Sequence, residues 1–291
     1  MSTSADSQVC VVTVTYYPDT TDIRYHLALQ LCQLASQTLT PLVIVDGSPD
    51  HSQIKDELTA AGGGYVHVFE QDTNTHPGKG GALRQAILQA RKALSELNKV
   101  NFLKLDDCAI CFMEPEKVDL MNHVQDICRP IFDSLTEVVV PLREKELFQQ
   151  TYPIEQYHSE SFANLHFNSL ANQIPGFQTR QNGKAIRRSN IDWHFGPVAW
   201  RADLSYRWLE YHGKSWDAQM VPYVRGVRHD GWRIMSVVVK FRHPKEMKDQ
   251  EEGRPDWTKK RLYQLNVLFD LLGKELLLEE DATQQMKCPN K

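Results

Sequence analysis

Apolar, β-branched runs alternate with helical periodicity through residues 9–105, and this alternation restricts the fold more than any other feature. Val9-Cys10-Val11-Val12-Thr13-Val14-Thr15-Tyr16 is an uninterrupted run of the kind buried on both faces of a sheet. A helix is expected from about Asp22, with Ile23, Leu27, Leu31 and Leu34 near helical spacing. Residues 41–45 read as a second strand, 53–60 as a short helix and 65–69 as a third strand. Gly78-Lys79-Gly80-Gly81 then opens a helix with Leu83, Ile87, Ala90, Leu94 and Leu97 on one face. The fourth strand is expected in Phe102-Leu103-Lys104-Leu105, ending on Asp106 and Asp107. Strands separated by helices pair in parallel through right-handed crossovers. The fold class is therefore α/β: a doubly wound, mostly parallel sheet flanked by helices.

After residue 115 the rhythm breaks. A helix is expected over 118–127, strands over 136–141 and 234–240, and a helix from about Ser215 to Tyr223. Phe195-Gly196-Pro197 signals a close backbone approach before a short strand. The stretch 152–190 is polar and shows no clear period; 178–184 within it reads as a mobile loop. A charged linker, 244–255, precedes a long helix over about 256–279. Its apolar face (Leu262, Leu265, Leu268, Phe269, Leu271, Leu272) is expected to pack on its own domain, with dimerisation left open. This divides the chain into a first half, 1–115, a mixed second half, 116–245, and a C-terminal helical extension, 246–291.

The bulk composition excludes several classes. A net charge of -4 speaks against a nucleic-acid partner held by bulk attraction. No apolar run reaches the length of a membrane span, and residues 1–8 carry no signal pattern. The 6 cysteines are scattered, which suits buried thiols in a reducing cytoplasm. Cys108-Ala109-Ile110-Cys111 has the spacing of a metal pair, but no second ligand pair stands nearby.

The sites of open α/β folds lie at the C-terminal edge of the sheet, so residues ending strands and opening helices are the candidates. Two carboxylates at a strand end, Asp106 and Asp107, suit a hard divalent cation, and the cation suits a diphosphate. Gly78, Lys79 and Gly80 sit where a helix N-terminus favours an anion, with an ammonium added. Neither a P-loop nor a G-x-G-x-x-G motif matches them. Asp46, in Val45-Asp46-Gly47-Ser48-Pro49-Asp50, closes the second strand on the same edge and suits a base or ribose. Arg180, Lys184, Arg187 and Arg188 form a basic cluster best explained as solvated surface. Trp193, Trp200 and Trp216 are expected in the core, with sugar stacking as the alternative.

Taken together, Val-Asp-Gly-Ser-Pro-Asp, Pro77-Gly78-Lys79-Gly80, the acidic strand end, Trp216-Asp217 and His243 resemble the nucleotide-sugar glycosyltransferases of the GT-A fold. Family-2-type enzymes, with mannosylglycerate synthase and its relatives, are the nearest. The resemblance covers roughly residues 9–245. It implies a hexosyltransferase that moves sugar from a nucleotide diphosphate sugar donor to an acceptor hydroxyl with Mn²⁺ or Mg²⁺. Asp46 would contact the nucleoside and Lys79 the diphosphate. Asp106, Asp107 and His243 would hold the metal, and Asp217 would act as base or orienter at the acceptor. One departure stands out: Cys108 occupies the third position of the Asp-x-Asp motif, and thiolate is a poor ligand for these ions. A non-catalytic GT-A-like binding protein is the alternative. A nucleotidyltransferase is disfavoured, because Tyr16-Tyr17-Pro18-Asp19 stands where its glycine-rich loop would follow the first strand.

Overall fold

The computed structural model describes residues 8–101, 104–181, 184–188 and 190–277. The expected alternation is present as β1 (Val9–Thr15), α1 (Ile23–Gln37), β2 (Leu42–Asp46), α2 (His51–Gly62), β3 (Val66–Glu70), α3 (Gly78–Asn101) and β4 (Ala109–Phe112). Asp22 caps α1 by accepting from the Arg24 backbone N–H. Then follow α4 (Val124–Phe132), β5 (Val138–Arg143), α5 (Lys145–Thr151), α6 (Ile154–Ala171), β6 (Gln178–Gln181), β7 (Lys184–Arg188), β8 (Val198–Arg201) and α7 (Tyr206–Glu210). The chain continues through α8 (Asp217–His229), β9 (Ile234–Val239), α9 (Lys245–Glu251) and α10 (Pro255–Leu277).

The main sheet has 7 strands in the order β3-β2-β1-β4-β8-β5-β9. Only β8 runs antiparallel to its neighbours. Between β1 and β4 the strand order reverses, leaving a crevice outside their C-terminal ends. On one face α3, α6, α8 and α10 cover Trp193, Trp200, Trp208 and Trp232; Trp200 stacks on Trp208 with ring centroids 4.1 Å apart. On the other face α1, α2 and α4 cover Val11, Ile44 and Cys111. Leu268, Leu272 and Leu276 seat α10 in the first of these cores, against its own domain. Cys10, Cys32, Cys108, Cys111 and Cys128 are buried with no disulfide, and burial, followed by Cys108, pushes the Cys10 thiol up to about 12. Cys288 lies outside the described residues. No helix among those described is long and apolar enough to cross a membrane.

Four expectations are corrected. The fourth strand is Ala109–Phe112, not the run before Asp106. Residues 102 and 103 lie outside the described residues, Leu105–Asp107 is a 3-10 turn, and both aspartates precede the strand. Lys104 interrupts the earlier apolar run, whereas all of β4 is buried and pairs from Val9 opposite Ala109. The polar stretch after Tyr152 contains α6. Its buried side carries Glu160 and Asn168, which bond into the interior, so no apolar period announces it. The expected loop over 178–184 is a β-hairpin of β6 and β7, with 182–183 and the side chains of the basic cluster outside those described. The charged linker likewise holds a short helix, α9.

Candidate active site

The C-terminal edge of the sheet opens into a cavity of about 470 Å³. That is the size range of small-molecule sites. Thr15 and Tyr16 enter from β1, Gly78 and Lys79 from the start of α3, and Glu114 and Glu116 from the end of β4. Phe195 and Gly196 come from the approach to β8, His243 from beyond β9, and Glu251 and Arg261 from α9 and α10.

Glu114 is the hub of the floor. Its carboxylate accepts from Lys117 Nζ at 3.0 Å and lies 3.7 Å from Lys79 Nζ on the other side. Burial alone would raise the Glu114 carboxyl, but Lys117 and Lys79 outweigh it and hold the group below the usual carboxylate range. Burial works against the Lys117 ammonium, and Glu114 and Glu116 outweigh that too, so its pKa is raised and it stays charged. Gly196 permits this packing. Its φ is +100°, and a Cβ there would lie 2.3 Å from Glu114 Oε1. Gly196→Ala is expected to destabilise the fold by about 1–3 kcal/mol through backbone strain and displacement of the carboxylate. Urea denaturation measures it.

His243 stacks on Tyr152 with ring centroids 4.4 Å apart, and its side chain is 8% exposed. Its Nε2 is buried without a hydrogen-bond partner. Burial, then Lys117 and Arg261, push the imidazole down to about 3. The unfolded imidazole titrates near ~6.5. Between those values the unfolded chain binds the extra proton, so stability falls as pH drops from about 6.5 toward 3, by up to about 1.4 kcal/mol per pH unit. In His243→Gln this part of the pH dependence is expected to vanish, which urea denaturation at neutral and mildly acidic pH would read.

Behind the cavity Arg143, at the end of β5, is chelated by Asp192 at 2.7 Å and paired to Glu160 at 2.8 Å. His194 lies beside them, its Nε2 also unpartnered, and burial lowers its pKa. It also lines the cavity.

The sequence-predicted residues divide. Gly78, Lys79 and His243 line the cavity. Gly80 does not: it packs against the 213–214 backbone and gives its N–H to the Lys214 carbonyl at 3.2 Å. Asp46 is 0% exposed and is spent on the Thr15 hydroxyl at 2.7 Å, the Ser48 hydroxyl at 2.6 Å and His51 Nδ1 at 3.0 Å. It ties the ends of β1 and β2 together and does not line the cavity. Asp217 is buried at the start of α8, accepting from the Tyr211 hydroxyl at 2.7 Å and the Ser215 N–H at 3.1 Å. Asp106 and Asp107 are exposed at the N-terminal edge of β4, opposite the cavity, and are not brought together with His243. Trp216 lines the cavity, whereas Trp193 and Trp200 are core residues.

Sequence reasoning missed Glu114, Glu116 and Lys117. The signal was present: the apolar run Ala109-Ile110-Cys111-Phe112-Met113 ends abruptly in Glu114-Pro115-Glu116. These acids, not Asp106 and Asp107, are delivered to the site edge by the strand that adjoins β1.

By sequence, the chain matches no protein-family model and no curated protein. By structure it is similar to glucosyl-3-phosphoglycerate synthase from Mycobacterium tuberculosis in complex with phosphoglyceric acid. The TM-score is 0.55 at 12% identity, covering 94% of this chain and 81% of that one. A second crystal structure of the M. tuberculosis synthase gives a TM-score of 0.53 at 14% identity, over 91% of this chain and 81% of that one. The fold is of the GT-A type. A further similar structure, described as a mycobacterial protein, covers 99% of this chain and 78% of its own at a TM-score of 0.53 and 15% identity.

A GT-A fold raises the expectation of a divalent cation, and the residues can be tested for it. Glu114, Glu116 and His243 all line the cavity. Lys117 stands among them, 3.0 Å from Glu114 and 3.9 Å from Glu116. Among the described residues no group of three His, Cys, Asp or Glu side chains is gathered to hold a metal. Mn²⁺ or Mg²⁺ needs carboxylate oxygens about 2 Å away, and here two ammonium groups already face those of Glu114. The arrangement does not fit the ion.

Proposed function

We propose that this chain is a glycosyltransferase that binds a nucleotide diphosphate sugar in the sheet-edge cavity and transfers its sugar to an acceptor hydroxyl. One observation carries this reading: Lys79, the Glu114–Lys117 turn and His243, from three distant parts of the chain, meet in one cavity at the switch point of a GT-A sheet. In the reaction the bond between the anomeric carbon and the diphosphate oxygen breaks, and that oxygen keeps the electron pair. The acceptor oxygen bonds the anomeric carbon, and its proton passes to water or to the departing diphosphate. Charge builds on the leaving diphosphate, and fixed cations aimed at it lower the barrier. Lys79, with a side chain 30% exposed beside the helix N-terminus, is the group placed for this.

The acceptor side is built from α9 and α10. Lys260 lies over the Trp257 ring at 4.1 Å, and Arg261 donates to Glu251 at 2.5 Å and lies 3.8 Å from Glu160. Both cations line the cavity and suit an acceptor that carries a carboxylate or phosphate. The similar synthase, crystallised with phosphoglyceric acid, supports that class. The buried thiols among the described residues form no disulfide, which supports a cytoplasmic location.

The test is a thermal-shift series with nucleoside diphosphates and their sugar conjugates. A ligand that binds the native state raises the melting temperature by mass action. Stabilisation by one base, together with slow hydrolysis of the matching nucleotide sugar, is the expected result. Binding without hydrolysis or transfer would favour a GT-A-like binding protein, and no shift with any nucleotide would end the reading.

A further inference from the structure

We infer that Lys117, together with Lys79, supplies the positive charge of the diphosphate subsite, so that the donor binds without a divalent metal ion. The inference rests on the proposed function and departs from the metal dependence expected of such a fold. Lys117 lies on the turn that follows Glu114-Pro115-Glu116, where the strand adjoining β1 leaves the sheet. Its side chain is 12% exposed, its Nζ is bonded to Glu114 at 3.0 Å, and the Phe195 ring lies 5.6 Å away.

The two oxygens of Glu114 are divided between two lysines. Oε1 faces Lys79 at 3.7 Å and Oε2 faces Lys117 at 3.0 Å. A hard divalent ion would have to approach these same oxygens to about 2 Å. It would then stand within a few ångströms of two ammonium groups in a partly dry cavity, where like charges repel strongly. The charge count makes the ion redundant. Lys79 and Lys117 together carry the charge of one divalent cation, against the same two carboxylates, Glu114 and Glu116, that would otherwise hold it. Unlike an ion, they are covalently fixed and are in place before the donor binds. Both line the cavity, so a diphosphate laid along its floor meets the ammonium groups directly.

The experiment uses the full chain. Melting temperature is followed with UDP, GDP and ADP, each in EDTA and in excess Mn²⁺, and Mn²⁺ alone is titrated calorimetrically. The expected result is a nucleoside diphosphate that stabilises equally in EDTA and Mn²⁺, with no heat of Mn²⁺ binding. Stabilisation that requires Mn²⁺ would overturn the inference while leaving the glycosyltransferase reading intact. No stabilisation in either condition would overturn both. Lys117→Met is expected to weaken nucleotide binding in EDTA by about tenfold or more. Lys117→Gln serves the same purpose if the methionine variant does not fold. A variant that binds nucleotide like the wild type in EDTA would remove Lys117 from the subsite.

Discussion

Arg143→Met is expected to lower the unfolding free energy by about 3–5 kcal/mol, the cost of leaving a buried partner charge unpaired. The Arg143 side chain is 1% exposed. It gives Nε and Nη2 to the two oxygens of Asp192, each at 2.7 Å, and Nη1 to Glu160 at 2.8 Å. Its guanidinium also stacks on the Phe148 ring at 3.5 Å, an arrangement that a lysine could not reproduce. Methionine fills the volume but strands two carboxylates. Burial raises the Asp192 carboxyl, but Arg143 outweighs it and holds the group below its ordinary range. That interaction contributes stability above the ordinary carboxylate pKa and loses it as pH falls through the lowered folded value. Arg143→Met should therefore also flatten the acid limb of the stability profile. Urea denaturation from neutral to acid pH reads both effects, and Arg143→Met combined with Asp192→Asn should recover part of the loss. A change below about 1 kcal/mol at neutral pH would mean that the network is solvated and contributes little.

Lys79→Met is expected to lower turnover of the nucleotide sugar by about 10²–10³, the usual effect of removing one preorganised donor from a developing negative charge. The fold should tolerate the change. Lys79 is partly exposed, and Glu114 keeps Lys117 as its partner. An unchanged melting temperature with lost turnover is the signature of a group at the reacting diphosphate. Lost stability together with lost turnover would mark Lys79 as structural. Unchanged turnover would take it out of the site.

The parallel half of the sheet was legible because β1 and β2 are buried on both faces, which leaves continuous β-branched runs. The opening of α3 at Gly78 was legible for a local reason, since glycines precede a strong apolar period. The fourth strand was not, because two apolar runs flank Asp106 and Asp107 and either satisfies the pattern. Pairing of Val9 with Ala109 selects the second run. That choice moves the aspartates to the edge away from the cavity and brings Glu114 and Glu116 to it. Helix α6 was hidden by its function in the interior, where its inward face offers hydrogen bonds to Arg143, Asp192 and Ile191 in place of apolar surface.

The sequence by itself determined the layer architecture, the direction of most strands and the opening of a helix at Gly78 and Lys79. These depend on periodicity and on the crossover rule, both properties of neighbouring residues. The tertiary structure alone decided which acids face the cavity, that Asp46 and Asp217 are consumed in holding loops, and that Lys117 stands between Glu114 and Glu116. Such facts depend on strand register and on contacts between residues far apart in the chain. A side chain with several available partners is committed to one of them only when the chain has closed around it.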